Sequence, residues 1–206
     1  SKVNIKKMLE EEGYPFKSKD HANHLHMYQT GSKAASLQTY ITGIGRDARF
    51  ACPKVLRYQF SPDFTLNVSS KCCEKLKKKV GDNWAKEHGK TWTITGIRRA
   101  EGGQRKTARC IVFKNGHNKF NPLFPVSNEF VDYVIERYDL NLCELYYPPF
   151  NFKRTGCKGC PFAIKLQEEL DQLEQFFPAE RRQCEYIWGP VYDEYRRLGY
   201  RLRKDT

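Results

Sequence analysis

The sequence is short of acidic residues, of methionine and of long apolar runs. Asp and Glu number 24 against 36 Lys and Arg, a formal net charge of +12. Such an imbalance favours anionic partners: nucleotides, nucleic acid, or the acidic face of a redox protein. Solvated surface lysines are the plainer alternative. No stretch approaches the roughly 18 consecutive apolar residues of a membrane helix, which excludes a membrane partner of that kind. The N-terminus has no signal-peptide apolar region. The expectation is a cytoplasmic protein, whose eight cysteines serve metal binding, catalysis or burial rather than disulfides. There is no internal repeat and no low-complexity linker.

The 206 residues, 39% hydrophobic and 14% aromatic, suffice for a core without covalent staples. Helices are predicted from Val3 to Glu12 and from Lys33 to Ile41. Others are predicted from the lysine-rich stretch after Ser69 into "KKKVGDNWAKE", and over "SNEFVDYVIERYDL" with Ser127 as N-cap. In that last helix Phe130, Val131, Val134, Ile135 and Tyr138 share a face. "CPFAIKLQEELDQLEQFF" reads as a helix opened by Pro161, with Phe162, Leu166, Leu170, Leu173 and Phe177 as its stripe. The C-terminal stretch reads as helical on either side of Gly189-Pro190. "DFTLNV" (63–68), "TWTITGI" (91–97) and "RCIVF" (109–113) read as strands, the last closed by a turn at Asn115-Gly116. Interleaved strands and helices indicate an α/β protein.

Two cysteine pairs stand out. "SSKCCEKLKKK" holds Cys72 and Cys73 beside a lysine run, and "RTGCKGCPF" holds Cys157 and Cys160 as C-x-x-C. Four thiolates can bind zinc or an iron–sulfur cluster, and a C-x-x-C can be a redox dithiol. Adjacent cysteines suit a cluster better than one small ion, because their side chains start in different directions. Lys71, Lys75 and Lys158 would offset thiolate charge. Cys110, Cys143 and Cys184 are expected to be buried structural thiols. The histidines of "HANHLH" (His21, His24, His26) are expected on a solvated surface. "GIRRAEGGQRKTARC" follows a strand with Arg98, Arg99, Arg105 and Arg109, whose forks match phosphate or sulfate oxygens. A basic surface loop without a ligand is the alternative.

Four segments together resemble the phosphoadenosine phosphosulfate (PAPS) reductase family of the adenine nucleotide α-hydrolase-like superfamily. They are "GYPFKSK" (13–19), "SSKCCEKLK" (69–77), "TGIRRAEGGQR" (95–105) and the run from "FNPLFPVSNEF" to "GCKGCPF" (120–162). The resemblance implies a Rossmann-like sheet binding an adenine nucleotide or sulfonucleotide. It implies a [4Fe-4S] cluster on Cys72, Cys73, Cys157 and Cys160, with zinc as the alternative, and an anion site at Arg98, Arg99 and Arg105. Lys75 and Lys77 are further candidates for the same anion. A thioredoxin-like donor would be a partner, and a tRNA or DNA substrate suits the charge.

The family's Ser-Gly-Gly-x-Asp-Ser nucleotide loop has no counterpart here, since neither "GIGRD" nor "EGGQR" fits it. The sheet is therefore expected to be incomplete, lacking its first strand. The family's C-terminal catalytic cysteine, in a Glu-Cys-Gly-Leu-His setting, is also missing. Residues 1–165 are read as the PAPS-reductase-like α/β region and 166–206 as a helical extension. The function expected is the cluster-bearing region of a protein for sulfur transfer or reduction. The alternatives are a nucleic-acid thiolation enzyme of the same superfamily, or a metal-stapled basic module without catalysis, in which the aromatics of "ELYYPPFNF" stack on bases.

Overall fold

A computed structural model describes residues 4–45, 50–113, 118–153 and 155–204. They form two compact units, one of residues 1–77 with 152–206 and the other of residues 78–151. The expected turn at Asn115-Gly116 lies outside the described residues.

The first unit is helical. Helix α1 (Ile5–Glu12) starts where the Asn4 side chain accepts from the Lys7 amide at 3.1 Å, satisfying one of the free N–H groups of a first turn. It stops at Gly13. Helix α2 (Lys19–Gln29) is capped in the same way by Ser18. Its buried residues His21, Ala22 and Leu25 share one side. Helix α3 (Ala35–Thr42) buries Leu37 and Tyr40. After residue 152 come α6 (Leu166–Phe176) and α7 (Pro178–Leu198).

Helix α7 packs against α6 and α1. Met8, Leu9, Phe16, Leu25, Leu166, Leu170, Val191, Tyr192 and Tyr195 lie in one apolar cluster. The helices after residue 165 thus share a core with the first 25 residues. Phe16 and Tyr195 meet edge to face at 4.7 Å. Full burial of such rings stabilises by about 1.5–3 kcal/mol each.

Three local expectations are corrected here. Residues 63–68 form no strand, and Val68 makes only a single parallel bridge with Tyr14. The helix expected from Cys160 begins at Leu166. Cys160 to Lys165 instead form turns, because loop carbonyls there are claimed by side chains of α7 and its flank. Helix α7 runs unbroken through Gly189-Pro190. Proline in a helix frees a carbonyl one turn earlier. Here that carbonyl belongs to Tyr186, an exposed residue, where water can satisfy it.

The second unit holds α4 (Lys79–Glu87), a small sheet and α5 (Asn128–Arg137). The strands are β1 (Trp92–Ile94), β2 (Ile111–Val112) and β3 (Asn118–Phe120), in the order β1-β3-β2. β1 and β3 are parallel, with Trp92 opposite Asn118. β2 and β3 are antiparallel, with Ile111 opposite Phe120. β3 was not foreseen from the sequence. Mixed helices with a small sheet agree with an α/β class. No helix among the described residues is long and apolar enough to cross a membrane.

Candidate functional site

The two cysteine pairs lie in the same unit, each on a loop fixed by buried groups. The first loop is held by the bridge of Tyr14 with Val68. The Tyr14 amide donates to the Asn67 carbonyl at 2.8 Å, and the Ser69 amide to the Tyr14 carbonyl at 2.9 Å. Gly13, at φ +99°, lets the two bridged segments approach: a Cβ there would sit 2.8 Å from the Ser69 nitrogen. Buried Ser69 accepts from the Lys71 amide at 3.3 Å. Cys72 and Cys73 then open a helical turn that widens into a π-helix over Glu74–Lys78. Cys72 is buried and Cys73 half-buried.

The C-x-x-C loop is held from below by α7. The Trp188 indole donates to the Lys158 carbonyl at 3.1 Å, and the Tyr192 hydroxyl to the Gly159 carbonyl. The Tyr195 hydroxyl donates to the Pro161 carbonyl at 2.9 Å and accepts from the Lys17 amide at 2.7 Å. Arg201 also donates to Pro161 at 2.6 Å, and Glu169 of α6 accepts from the Gly159 amide at 3.0 Å. Gly159 has φ +60°, and a Cβ there would lie 2.7 Å from the Cys184 sulfur and 2.5 Å from the Tyr192 oxygen. Cys160 is half-buried and Cys157 exposed.

The two loops come close enough for Cys160 to feel the charges of Cys73 and Cys157, and for Cys72 to feel those of Cys73 and Cys160. The Cys72 thiol is pushed up by its hydrogen bond with Cys73, by burial and by the charges of Cys73 and Cys160. Burial, joined by the charges of Cys157 and Cys73, pushes the Cys160 thiol up to about 11. The neighbouring Cys157 sulfur, with the charges of Cys73 and Cys160, holds the Lys77 pKa above the usual lysine value. Among the described residues, no group of three or more His, Cys, Asp or Glu side chains is placed to hold a metal ion.

The two lysines considered for an anion site are engaged elsewhere. Lys75 pairs with Glu12 at 2.6 Å, and Lys71 reaches the same carboxylate at 3.5 Å. Lys77 faces the cysteines. Lys158 pairs with Glu180 and donates to Gln183 at 2.7 Å.

The basic loop belongs to the second unit. Parallel β1 and β3 send their following loops out from the same end of the sheet, the place where such folds hold ligands. The two loops are laced together. The Arg99 amide donates to the Phe124 carbonyl at 3.0 Å, and Thr95 bonds the buried side chain of Asn121. Arg98 donates to the Ser127 carbonyl at 3.2 Å and to Asn128 Oδ1 at 3.0 Å. Glu101 lies between two guanidinium groups, 2.9 Å from Arg105 and 3.9 Å from Arg98. Arg99 is exposed, its guanidinium 4.8 Å from the Phe124 ring centre.

The domain model described as "phosphoadenosine phosphosulfate reductase domain" matches residues 4–163. The chain belongs to the PAPS reductase family. The match runs through the cysteine doublet, the arginine loop and the C-x-x-C of this PAPS reductase domain. No curated protein and no solved structure matches the chain.

Several side chains of this PAPS reductase domain lie where the sequence reading did not put them. Cys110 and Cys143 are exposed rather than buried. Strand β2 is too short and too open to bury Cys110. Cys184 is 1% exposed, and Cys52, on which no expectation was placed, is also buried. The histidines are not on a solvated surface. His21 is 0% exposed, bonding Tyr40 through Nδ1 and Gln59 through Nε2, each at 2.8 Å. His24 is half-buried and stacks on the Tyr40 ring at 4.2 Å. The support from Trp188, Tyr192 and Tyr195 was missed. Its signal was the run Cys184, Trp188, Tyr192, Tyr195, whose spacings of four, four and three place it on one helix face.

Proposed function

We propose that this PAPS reductase domain is the cluster-bearing region of a protein that binds an adenine nucleotide or sulfonucleotide for sulfur transfer or reduction, on an α-hydrolase-type sheet. The observation that carries the reading is that the two cysteine pairs come from loops of one unit, with Cys160 close enough to feel the charges of Cys73 and Cys157, and Cys72 those of Cys73 and Cys160. Thiols gathered from two loops, with Cys72 and Cys160 held protonated by burial and by their sulfur neighbours, form an arrangement that a multinuclear cationic centre would relieve. The adjacency of Cys72 and Cys73, whose side chains start in different directions, favours a [4Fe-4S] cluster over zinc. Held by these cysteines, such a cluster would supply a fixed electrostatic field around them.

The chain's own residues do the rest. Lys77 puts a positive charge beside the sulfurs, and α7 holds the C-x-x-C carbonyls rigidly. Arg98, Arg99 and Arg105 offer guanidinium groups to a phosphate or sulfate. Cys184 is sealed against Gly159 and is not the attacking thiol. A thioredoxin-like donor would supply that thiol in a reductase.

Anaerobic reconstitution with ferrous iron and sulfide tests the reading. The expected product is brown, absorbs near 400 nm and holds about four irons per chain. Cys72→Ser, Cys157→Ser and Cys160→Ser each lower that yield, whereas Cys110→Ser and Cys143→Ser leave it unchanged. A colourless product with all cysteines present overturns the proposal.

A nucleic-acid acceptor is the second reading, favoured by the +12 charge and by Trp84. This residue is 54% exposed and stacks on His88 at 4.4 Å on a lysine-bearing helix. A steep fall of oligonucleotide affinity with salt, together with weaker binding by Trp84→Ala, is its expected signature.

A further inference from the structure

Glu101 occupies the place that an oxyanion would take in the basic loop. One carboxylate meets two guanidinium groups, through Oε2 on Arg105 Nε at 2.9 Å and Oε1 on Arg98 Nε at 3.9 Å. Its spacing makes this a local device: Arg98 is three residues before it and Arg105 four residues after, within consecutive 3₁₀ turns (Arg99–Glu101 and Gly103–Thr107). Arg98 is anchored from behind by the Ser127 carbonyl and the Asn128 side chain. Its fork is therefore fixed in place before any ligand arrives, while the Arg105 side chain is about half exposed and meets Glu101 at its more open side.

We propose that Glu101 is a displaceable internal anion that makes the loop selective for a terminal, dianionic phosphate over a singly charged phosphodiester. The inference rests on the reading that this loop takes the ligand's anion, and narrows it to a terminal phosphate: a sulfate ester, singly charged like a phosphodiester, is not what the loop selects. Its physical basis is an exchange of charges. A singly charged oxyanion that expels one carboxylate gains no net attraction, and it still bears the entropic cost of association. A dianion brings one more negative charge to the same two arginines and wins the exchange. Exposed ion pairs of this type are weak, so the carboxylate can leave. Once expelled it remains tethered beside the site and returns when the anion departs.

Titration calorimetry with inorganic phosphate and with dimethyl phosphate, at pH 8 and low salt, tests this on the whole chain. The wild type should bind phosphate and show no measurable heat with dimethyl phosphate. Glu101→Gln, which keeps the shape and removes the charge, should bind phosphate about fivefold more tightly and should bind dimethyl phosphate as well. Glu101→Asp, which keeps the charge on a shorter arm, should stay closer to the wild type. Phosphate affinity that is unchanged or weaker in Glu101→Gln overturns the proposal while leaving the anion site standing. So does wild-type binding of both ligands alike. Absence of phosphate binding in every variant overturns the anion-site reading and this inference with it.

Discussion

The ammonium of Lys77 lies within electrostatic reach of the sulfur of Cys157, linking the segment after the cysteine doublet to the C-x-x-C loop. This cation lies among Cys157, Cys73 and Cys160 and offsets the charge that four thiolates would concentrate. Replacing it with an apolar chain of similar length removes that offset without removing a sulfur. Lys77→Met should retain its fold but lower iron retention by about tenfold, as substitutions just outside a metal's ligands commonly do. Iron per chain after anaerobic gel filtration measures it, and undiminished retention would show that Lys77 is a bystander.

Gly159 can only be glycine, for two independent reasons. Its φ of +60° disfavours a side chain, and the volume beside it is filled by Cys184 and Tyr192. Gly159→Ala should cost about 2 kcal/mol or more, read as a lower urea midpoint. Because the strain falls inside the C-x-x-C, cluster assembly should fail along with stability. Gly89→Ala also alters a glycine of positive φ, but with open space around its Cβ position, and should leave the cluster intact.

The Tyr195 hydroxyl serves the Lys17 amide and the Pro161 carbonyl at once. Tyr195→Phe keeps the ring against Phe16 and leaves the Lys17 N–H without that acceptor. Pro161 retains Arg201 as a donor. A loss of about 1–3 kcal/mol is expected, measured by chemical denaturation. Loss of much less than this would mean that water replaces the hydroxyl.

Burial lowers the His21 pKa from 6.5 to about 4; the bond to Gln59 opposes the shift, and the nearby charges of Lys17 and His24 add to it. The unfolded chain therefore binds the proton more readily than the folded one between these two values. Stability from this group is complete above pH 6.5, falls as the pH drops towards 4 and levels off below that. The full loss is about 3 kcal/mol. Urea midpoints compared at pH 7.5 and 4.5 should fall by less in His21→Gln than in the wild type.

What could be read from the chain depended on the range of the interaction. Ser127 caps α5 as expected, accepting from the Phe130 amide at 3.2 Å, because a cap is settled within four residues. Leu166, Leu170 and Leu173 are buried as their spacing implied. The strand over Trp92–Ile94 and the basic loop after it were also legible. The C-x-x-C turn was mistaken for a helix start because the groups holding it open lie 30 or more residues away on α7. His21 looked like a surface residue because Tyr40 and Gln59, which satisfy its nitrogens, are distant in sequence.

The sequence alone determined the membership of the PAPS reductase family, the presence of two cysteine pairs, the basic loop and the helical periodicities, since each resides in residue type and short spacing. Only the tertiary structure decided that Lys77 faces sulfur while Lys75 faces Glu12, that α7 cradles the C-x-x-C, and that Glu101 sits between Arg98 and Arg105. Pairing partners are chosen by packing, which sets distances between side chains that the linear order leaves free.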